Sequence, residues 1–138
     1  MNVKILVVDD EEHICSTLSR HFEYLGYDVD TACNGREALV KLEDSRTDII
    51  ISDIKMPEMD GVELLERVRQ EYPMIRVIMM TGYVTLENGL ACLRHGADTC
   101  IFKPIEDMSE LELAVDSAVK YLNHWQVKLK ILRELKTA

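Results

Sequence analysis

The segment DIIISDIKMPEMDG, residues 48–61, changes from a strand pattern to a helix start within a single stretch. Three consecutive isoleucines are typical of a strand buried on both faces, as in a parallel sheet. Pro57 and Gly61 break the apolar pattern, so the strand should end near Asp53. A carboxylate at the end of a buried strand is costly unless other groups meet it there. The surroundings of Asp53 therefore become the main question.

Four more short apolar or β-branched runs resemble the strand before Asp53. The five predicted strands are residues 3–9, 28–32, 48–53, 76–81 and 99–103. Amphipathic helical patterns separate them, at residues 12–25, 35–45, 60–72, 85–95 and 106–137. Gly26 and Gly96 stand where helices favour a left-handed cap, and Asp60 with Glu63 forms a capping-box pattern.

Strict alternation of strands and helices predicts a parallel sheet with right-handed crossovers. Because the strands are nearly continuous apolar runs, helices should cover both faces of the sheet. The predicted fold is therefore an open, doubly wound α/β sheet of five strands. Such sheets bind ligands at the carboxyl ends of their strands, where the winding direction reverses.

Length and composition predict one domain, because 138 residues with 47% hydrophobic content suffice for a single core. The apolar runs are much shorter than the ~20 residues of a membrane span, and the first residues lack a signal-peptide pattern. We expect a cytoplasmic protein with no membrane association. The four cysteines have no paired or metal-ligand spacing, which predicts buried, reduced thiols at Cys15, Cys33, Cys92 and Cys100.

The net charge of −9 argues against nucleic-acid binding by this domain, since such surfaces must neutralise phosphates. The charge is unevenly distributed along the chain. Residues 120–138 contain five basic residues and one acid, a charge of 5 − 1 = +4, so the remainder carries −9 − 4 = −13. The composition therefore changes near residue 120.

Polar side chains stand at the carboxyl ends of four of the five predicted strands. They are Asp9 and Asp10 at the end of the first, Asp53 at the end of the third, Thr81 at the end of the fourth and Lys103 at the end of the fifth. Each aspartate could instead be a helix cap or a solvated loop residue, which is the commoner role of a single aspartate. Their joint position at the strand ends favours one shared site, provided that the first and third strands are neighbours.

Three carboxylates in one pocket raise each other's pKa and require a cation. An all-oxygen, highly charged ligand set suits Mg²⁺, which commonly shares its coordination sphere with a phosphate. Three carboxylates, one Mg²⁺ and Lys103 sum to −3 + 2 + 1 = 0. Aspartate forms aspartyl phosphates as a nucleophile, and phosphoryl transfer depends mainly on positioning and charge compensation. The set predicts a site that accepts a phosphoryl group.

Four motifs carry a resemblance to a known family: VVDD at 7–10, DIKMPEMDG at 53–61, MTG at 80–82 and FKP at 102–104. Together and in this order they resemble the receiver domain of two-component response regulators. The resemblance covers residues 3–121. It implies a flavodoxin-like (βα)5 fold with strand order 2-1-3-4-5, in agreement with the doubly wound sheet predicted above.

The resemblance also implies roles for individual residues. Asp53 would accept a phosphoryl group from the phosphohistidine of a sensor histidine kinase, and Thr81 and Lys103 would contact the phosphoryl oxygens. Magnesium would be held by Asp9, Asp10, Asp53 and the backbone carbonyl of Lys55. The family's bond before the proline is cis, so Lys103–Pro104 is expected to be cis. Where the family carries an inward-turning aromatic residue, this chain has Cys100, a departure that leaves the phosphoacceptor chemistry intact.

The last predicted helix is longer than a receiver domain requires. A seam with coiled-coil spacing runs through Leu111, Val115, Ala118, Leu122, Trp125, Leu129, Leu132 and Lys136. We therefore expect a receiver domain at residues 1–121 and a helical C-terminal extension or linker at 122–138. A parallel homodimer would bring Lys128 and Arg133 together, which weakens that option. An antiparallel pair, a junction to an output domain and a solvated linker stay open.

Two other functions use the same chemistry. A stand-alone phosphotransfer shuttle with no output domain would have the same motifs, whereas a regulator would act on a downstream output domain or partner protein. A Mg²⁺-dependent phosphohydrolase of the haloacid-dehalogenase type would also form an aspartyl phosphate, but it requires a second aspartate two residues after the first. Lys55 occupies that position here. The sequence therefore favours a signalling domain over an enzyme.

Overall fold

The computed structural model describes residues 2–83 and 85–137, with the side chains of residues 136 and 137 excepted. Five strands alternate with five helices along the chain. The strands are β1 (Lys4–Val8), β2 (Asp28–Ala32), β3 (Ile49–Asp53), β4 (Arg76–Thr81) and β5 (Thr99–Phe102). The helices are α1 (Glu12–Tyr24), α2 (Gly35–Asp44), α3 (Gly61–Glu71), α4 (Leu86–Arg94) and α5 (Ser109–Thr137).

The five strands form one parallel sheet in the order β2-β1-β3-β4-β5. This is the predicted flavodoxin-like, doubly wound arrangement. The winding direction reverses between β1 and β3, which pair directly with Val8 opposite Ser52. The carboxyl ends of β1 and β3 therefore lie side by side, as the sequence analysis required.

Two hydrophobic layers cover the sheet, one on each face. One contains Ile5, Val7, Ile49, Ile51 and Ile78 of the strands with residues of α1 and α5. The other contains Leu6, Val8, Ile50, Val77 and Met79 with residues of α2 and α3 and Cys92 of α4. Alternate residues of each strand thus point into opposite layers, which explains why the central strands are apolar throughout.

The local helix signals predicted from the sequence are confirmed, with small differences at the element ends. Gly26 and Gly96 have φ values of +98° and +82°, which a residue with a side chain rarely adopts. Asp60 caps α3, because its side chain accepts a hydrogen bond from the amide of Glu63 at 2.9 Å. Strands β2 and β4 match the prediction at both ends, and the other strand and helix limits differ from it by at most three residues.

The start of α5 is the largest of these differences, at Ser109 rather than residue 106. The reason is local: Asp107 accepts hydrogen bonds from both the amide and the hydroxyl of Ser109, at 2.9 and 2.6 Å. A side chain that satisfies these donors favours a helix start at this point. The expected cis bond between Lys103 and Pro104 is present.

Helix α5 packs on the sheet over only its first half. Leu111, Val115, Ala118 and Leu122 are buried in the layer that contains α1. Beyond them the seam residues Trp125, Leu129 and Leu132 are 39%, 40% and 57% exposed, and the side chain of Lys136 lies outside the described residues. The prediction that the first half of the seam packs on the sheet is confirmed.

The cysteine prediction is partly wrong. All four thiols are free, but only Cys15 and Cys92 are buried. Cys33 is exposed because it follows the edge strand β2, and Cys100 is half-buried on the other edge strand, β5. Among the described residues, no helix has the length and apolar character needed to cross a membrane.

Candidate functional site

Asp53 is the last residue of β3 and lies at the centre of the sheet's carboxyl edge. It is only 5% exposed. Its Oδ1 accepts a hydrogen bond from the amide of Ile54 at 2.8 Å. The strand therefore places the Asp53 carboxylate where little solvent reaches it, and the first amide after the strand fixes the orientation of this carboxylate.

Asp9 follows β1 immediately and is 1% exposed. Its amide donates to the carbonyl of Ala32 at 3.0 Å, which continues the β1–β2 ladder by one step. Its Oδ1 accepts from the amide of Glu11 at 2.9 Å, and its carbonyl accepts a hydrogen bond from the thiol of Cys15 at 3.4 Å. These contacts hold the Asp9 carboxylate toward the strand ends.

Asp10 completes a cluster of three carboxylates. Asp9, Asp10 and Asp53 each offer an oxygen, and these three oxygens lie within 4.8 Å of one another. Asp10 is exposed, whereas the other two aspartates are buried, so the cluster opens to solvent on the Asp10 side. The predicted convergence of the three aspartates is present in the geometry.

Lys103 faces the two buried aspartates from the end of β5. Its ammonium lies 2.8 Å from Asp9 Oδ2, 3.2 Å from Asp53 Oδ2 and 3.5 Å from Glu11 Oε1. Its side chain is 11% exposed. The amide of Lys103 also donates to the carbonyl of Thr81 at 2.8 Å, so the β4–β5 ladder positions the residue directly.

Electrostatics at the site follow from burial and from these contacts. Burial raises the pKa of Asp9, and hydrogen bonding and attraction to Lys103 oppose that rise without cancelling it. Burial also raises the pKa of Asp53, and repulsion from Asp9 raises it further. Burial acts against the charge of Lys103, but its contacts with the two carboxylates outweigh burial and raise its pKa. Desolvation, rather than the mutual repulsion predicted from the sequence, is therefore the largest cause of both raised pKa values.

Thr81 ends β4 and is 1% exposed. Met80, the residue before it, pairs with Asp53, and Thr81 itself pairs with Phe102 of β5. Thr81 thus lies between the strand ends that carry Asp53 and Lys103. Its hydroxyl accepts a hydrogen bond from the amide of Tyr83 at 2.9 Å.

Lys55 lies in the loop that follows β3, and its side chain is exposed. Its ammonium is 5.9 Å from the centre of the Tyr83 ring, so the side chain extends toward the β4–α4 loop. The predicted part of Lys55 in metal binding concerns only its backbone carbonyl. That role stays a prediction.

Gly61 explains how α3 can begin so close to the phosphoacceptor candidate. Its amide donates to the carbonyl of Ile54 at 2.8 Å. A Cβ atom at this position would lie 2.0 Å from the carbonyl oxygen of Asp53, an impossible contact. Glycine is therefore required for this close approach of two backbone segments.

Glu11 is the site residue that the sequence analysis left out. Its amide orients Asp9 and its carboxylate faces Lys103, although its side chain is 62% exposed. A local signal was available: aspartate side chains commonly accept a hydrogen bond from the amide two residues later. That rule connects Asp9 to Glu11 without any knowledge of the fold.

Comparison with known proteins identifies the family. The family model described as the response regulator receiver domain matches residues 5–116. This chain belongs to the response regulator receiver domain family. Receiver domains are signalling domains of two-component systems, and phosphorylation on an aspartate is their typical function. They bind Mg²⁺ at the acidic phosphorylation site and work in general with histidine kinases and output domains.

Curated relatives of this receiver domain are longer proteins. It is 39% identical over 117 residues to the regulatory protein AtoC of Escherichia coli, covering 85% of this chain and 25% of AtoC. It is 42% identical over 104 residues to the alkaline phosphatase synthesis transcriptional regulatory protein PhoP of Bacillus subtilis, covering 75% and 43%. The chain spans 25% to 50% of the length of the first curated relatives that it matches.

Solved structures show the same fold. A CheY-like response regulator receiver domain protein from Methanospirillum hungatei is 36% identical, with a TM-score of 0.81 and coverage of 87% and 96% of the two chains. The response regulator TrrA from Thermotoga maritima, crystallised in complex with Mg(2+)-BeF, is 34% identical, with a TM-score of 0.76 and coverage of 84% and 98%.

Proposed function

We propose that Asp53 is the phosphoacceptor of this receiver domain and takes its phosphoryl group from a histidine kinase. The observation that carries the proposal is the contact of one lysine with two buried aspartates: the Lys103 ammonium lies 2.8 Å from Asp9 and 3.2 Å from Asp53. Of the three clustered aspartates, Asp53 is the one that ends a strand, the central strand of the sheet, whereas Asp9 and Asp10 follow the end of β1.

The donor set fits Mg²⁺. Three carboxylate oxygens within 4.8 Å of one another form a hard, anionic ligand group, and Asp10 leaves it open to solvent. Asp9, Asp10, Asp53 and the backbone carbonyl of Lys55 would hold the ion. When bound, Mg²⁺ would supply charge neutralisation for the carboxylates and for the oxygens of the phosphoryl group. The Mg(2+)-BeF complex of TrrA supports this assignment for a related chain.

In the transfer step, a carboxylate oxygen of Asp53 attacks the phosphorus of the kinase phosphohistidine. An O–P bond forms, the N–P bond breaks, and the histidine nitrogen leaves with the electron pair. The Lys103 ammonium faces the Asp53 carboxylate before transfer. After transfer it would form an ion pair with the phosphoryl oxygens, which then carry the negative charge. The Thr81 hydroxyl would donate a hydrogen bond to a phosphoryl oxygen, because Thr81 lies between the strand ends that carry Asp53 and Lys103.

The C-terminal part of α5 would connect the receiver to its output. We propose a receiver domain at residues 1–121 and an extension at 122–138. Among the described side chains of α5, Leu122 is the last that is buried, so this first residue of the extension still packs on the receiver core. Large apolar side chains are exposed beyond it: Trp125, Val127, Leu129, Ile131, Leu132 and Leu135. They suit an output domain or partner protein, and the heptad spacing of Trp125, Leu129 and Leu132 would also suit a second copy of the helix.

A cytoplasmic location is proposed on two grounds. Receiver domains are typically cytoplasmic. The four free cysteines fit a reducing compartment.

Phosphorylation by a small donor tests the proposed function. The protein is incubated with acetyl phosphate and Mg²⁺, and its intact mass is followed over time. We expect a gain of one phosphoryl group that is stable in acid and labile in base, and no gain in EDTA. Asp53→Asn should abolish the gain. The matched control is Asp44→Asn, which changes an exposed aspartate at the end of α2 and should label like the wild type.

The same experiment separates the alternative functions. A phosphohydrolase of the aspartyl-phosphate type would release phosphate through many turnovers without accumulating a phosphoprotein. With a histidine-containing phosphotransfer protein added, a shuttle would pass the label from Asp53 to that protein. A receiver with its own output would instead keep the label and change its oligomeric state or its binding to a partner protein. Labelling of the Asp53→Asn protein at the wild-type rate would overturn the assignment of the phosphoacceptor.

A further inference from the structure

A second heptad stripe runs along the exposed side of α5. Each member lies one residue before a member of the seam that packs on the sheet, so the stripe is turned by about 100° from that seam. The members are Glu110, Ala114, Ser117, Tyr121, His124, Lys128, Ile131 and Leu135. Ala114 is half-buried and the other members are exposed. A single copy of the chain therefore leaves this stripe open to solvent along most of the helix.

The two halves of the stripe differ in size. In the first half the small side chains of Ala114 and Ser117 lie with Tyr121 along a groove of about 430 Å³, between α5 and the first residues of β4 and β5. In the second half Ile131 and Leu135 are large, and they are 47% and 68% exposed. One half of the stripe therefore forms a hollow, and the other half carries apolar side chains that can fill one.

The groove is already ordered at Tyr121. Arg76 of β4 forms a two-point ion pair with Asp98: Nη2 lies 2.6 Å from Oδ1, and Nε donates to Oδ2 at 3.1 Å. The guanidinium carbon of Arg76 also lies 3.8 Å from the centre of the Tyr121 ring. An aromatic side chain that is held by stacking loses little entropy on binding, and such residues often dominate interface affinity. Tyr121 is therefore a preformed anchor for a partner.

Charge is also divided between the two halves of α5. Residues 109–119 contain three acids and no lysine or arginine, a charge of −3. Residues 120–137 contain five basic residues and one acid, a charge of 5 − 1 = +4. Two such helices side by side in the same direction would bring like charges together. Antiparallel helices would bring the basic half of each to the acidic half of the other.

We propose that a second copy of this chain fills the groove, so that two α5 helices pair antiparallel through the stripe. A twofold axis midway between Tyr121 and His124 would keep the two stripes in heptad register. It would set Ile131 against the partner's Ala114, a large side chain against a small one. The hollow half of each stripe would thus receive the apolar half of the other.

The parallel alternative has a defect in each half. It would place Lys128 against the partner's Lys128 and Ala114 against the partner's Ala114, so the charges would repel in one half and a gap would remain in the other. The antiparallel register instead places Lys128 against the partner's Ser117, beside the acidic half of the partner's helix.

The pairing is compatible with the function proposed above. The seam of Trp125 and Leu129 lies on another side of the helix and stays available to an output domain or partner protein. Dilute protein would be monomeric, because association depends on concentration. In the dimer, each extension would lie beside β5 of the other copy, the strand that ends next to Lys103.

Sedimentation equilibrium on the full chain tests the proposal, without Mg²⁺ or a phosphoryl donor. We expect a monomer–dimer equilibrium that weakens as salt is added. Ile131→Asp should leave a monomer, and Lys128→Glu should raise the dissociation constant about tenfold. The matched control is Lys130→Glu, because two residues away on a helix the same charge change faces the opposite side and should leave the dimer nearly intact. A chain that dimerises but is not phosphorylated on Asp53 would contradict only the function proposed above.

A charge swap tests the register. Ser117→Lys should weaken the dimer, because the new ammonium would face the partner's Lys128. Adding Lys128→Glu to Ser117→Lys should restore dimerisation. Within one chain the two positions are about 16 Å apart along the helix, so they cannot compensate each other in a monomer.

Cross-linking tests the direction of the two helices. Ser117→Cys and Lys128→Cys are made in separate proteins, each with Cys33→Ser because Cys33 is the exposed native cysteine. One of the two proteins is labelled with heavy nitrogen, and a short bismaleimide is added to their mixture. We expect links that join one protein to the other, as identified by mass.

Three results would overturn the proposal. A monomer at every concentration would mean that something other than a second copy covers the stripe. Links that join Lys128→Cys chains only to each other would mean a parallel pair. A dimer that neither Ile131→Asp nor the charge swap changes would lie on another face of the molecule.

Discussion

Lys103 holds its ammonium 3.2 Å from Oδ2 of Asp53 across a sheet in which their strands are not neighbours. Strand β4 lies between β3 and β5, so the lysine side chain reaches past the end of β4 to meet the aspartate. The contact therefore depends on the register of two ladders, β3–β4 and β4–β5. The contact between Lys103 and Asp53 can therefore form only when both strand pairs have formed in the folded chain.

Removing the lysine should destabilise the metal-free protein. Lys103→Met leaves two buried carboxylates without their cation, which costs about 3 kcal/mol of the free energy of unfolding at neutral pH. The control Arg67→Met breaks an ion pair whose side chains are 46% and 50% exposed, and should cost less than about 1 kcal/mol. Urea denaturation in EDTA measures both, and equal losses would contradict the importance of the buried contact.

Neutralising the phosphoacceptor should have the opposite effect. The pKa of Asp53 is raised above the ordinary value of 3.8, so the folded state holds a proton there that the unfolded state has already released. Stability from this group is present at low pH and is lost as pH rises through the raised pKa. Asp53→Asn should therefore exceed the wild type in stability at neutral pH without metal.

The pH dependence separates this effect from simple repacking. The advantage of Asp53→Asn should shrink as pH falls through the raised pKa and should vanish below 3.8, where the wild-type carboxyl is protonated in both the folded and the unfolded state. Saturating Mg²⁺ should also reduce it. Asp30 and Asp107 have lowered pKa values, so they act in the opposite direction and at lower pH. Denaturant melts between pH 4 and 8 measure the difference, and a pH-independent difference would argue against a raised pKa at Asp53.

The close approach at Gly61 should tolerate no side chain. Gly61→Ala would place a Cβ 2.0 Å from the Asp53 carbonyl oxygen, so the backbone that carries the phosphoacceptor must shift. We expect a loss of about 3 kcal/mol in the free energy of unfolding and slower labelling by acetyl phosphate. Gly89→Ala is the control, because nothing lies within 4 Å of its Cβ and alanine favours a helix by about 1 kcal/mol.

The extension of α5 should contribute little to the stability of the domain. The described side chains beyond Leu122 are exposed, so deletion of residues 123–138 should change the free energy of unfolding by less than about 1 kcal/mol. Leu122→Ala, which removes a side chain that is 3% exposed, should cost about 3 kcal/mol. Circular dichroism is the suitable probe because the deletion removes Trp125. A large loss on deletion would move the domain boundary toward the C-terminus.

Much of the fold could be predicted because its signals are local and repeated. The triple isoleucine of β3, the glycines at 26 and 96, and the cap at Asp60 each indicate the observed element. The start of α5 was predicted three residues too early, because the side chain of Asp107 sets it and the apolar pattern alone does not show that contact.

The candidate site was predictable where residues end a strand, as Asp53 and Thr81 do, or directly follow one, as Asp9 and Lys103 do. Burial was less predictable, because exposure of Cys33 and Cys100 depends on which strands lie at the sheet edges.

The most direct test of the account is the chemical location of the phosphoryl group. After reaction with acetyl phosphate and Mg²⁺, sodium borohydride reduces an aspartyl phosphate to homoserine, and peptide sequencing by mass spectrometry finds the changed residue. If Asp53 is the phosphoacceptor, we expect homoserine at position 53 and no change at Asp9 or Asp10. Homoserine at either of those two positions, or a phosphoprotein that yields none, would contradict it.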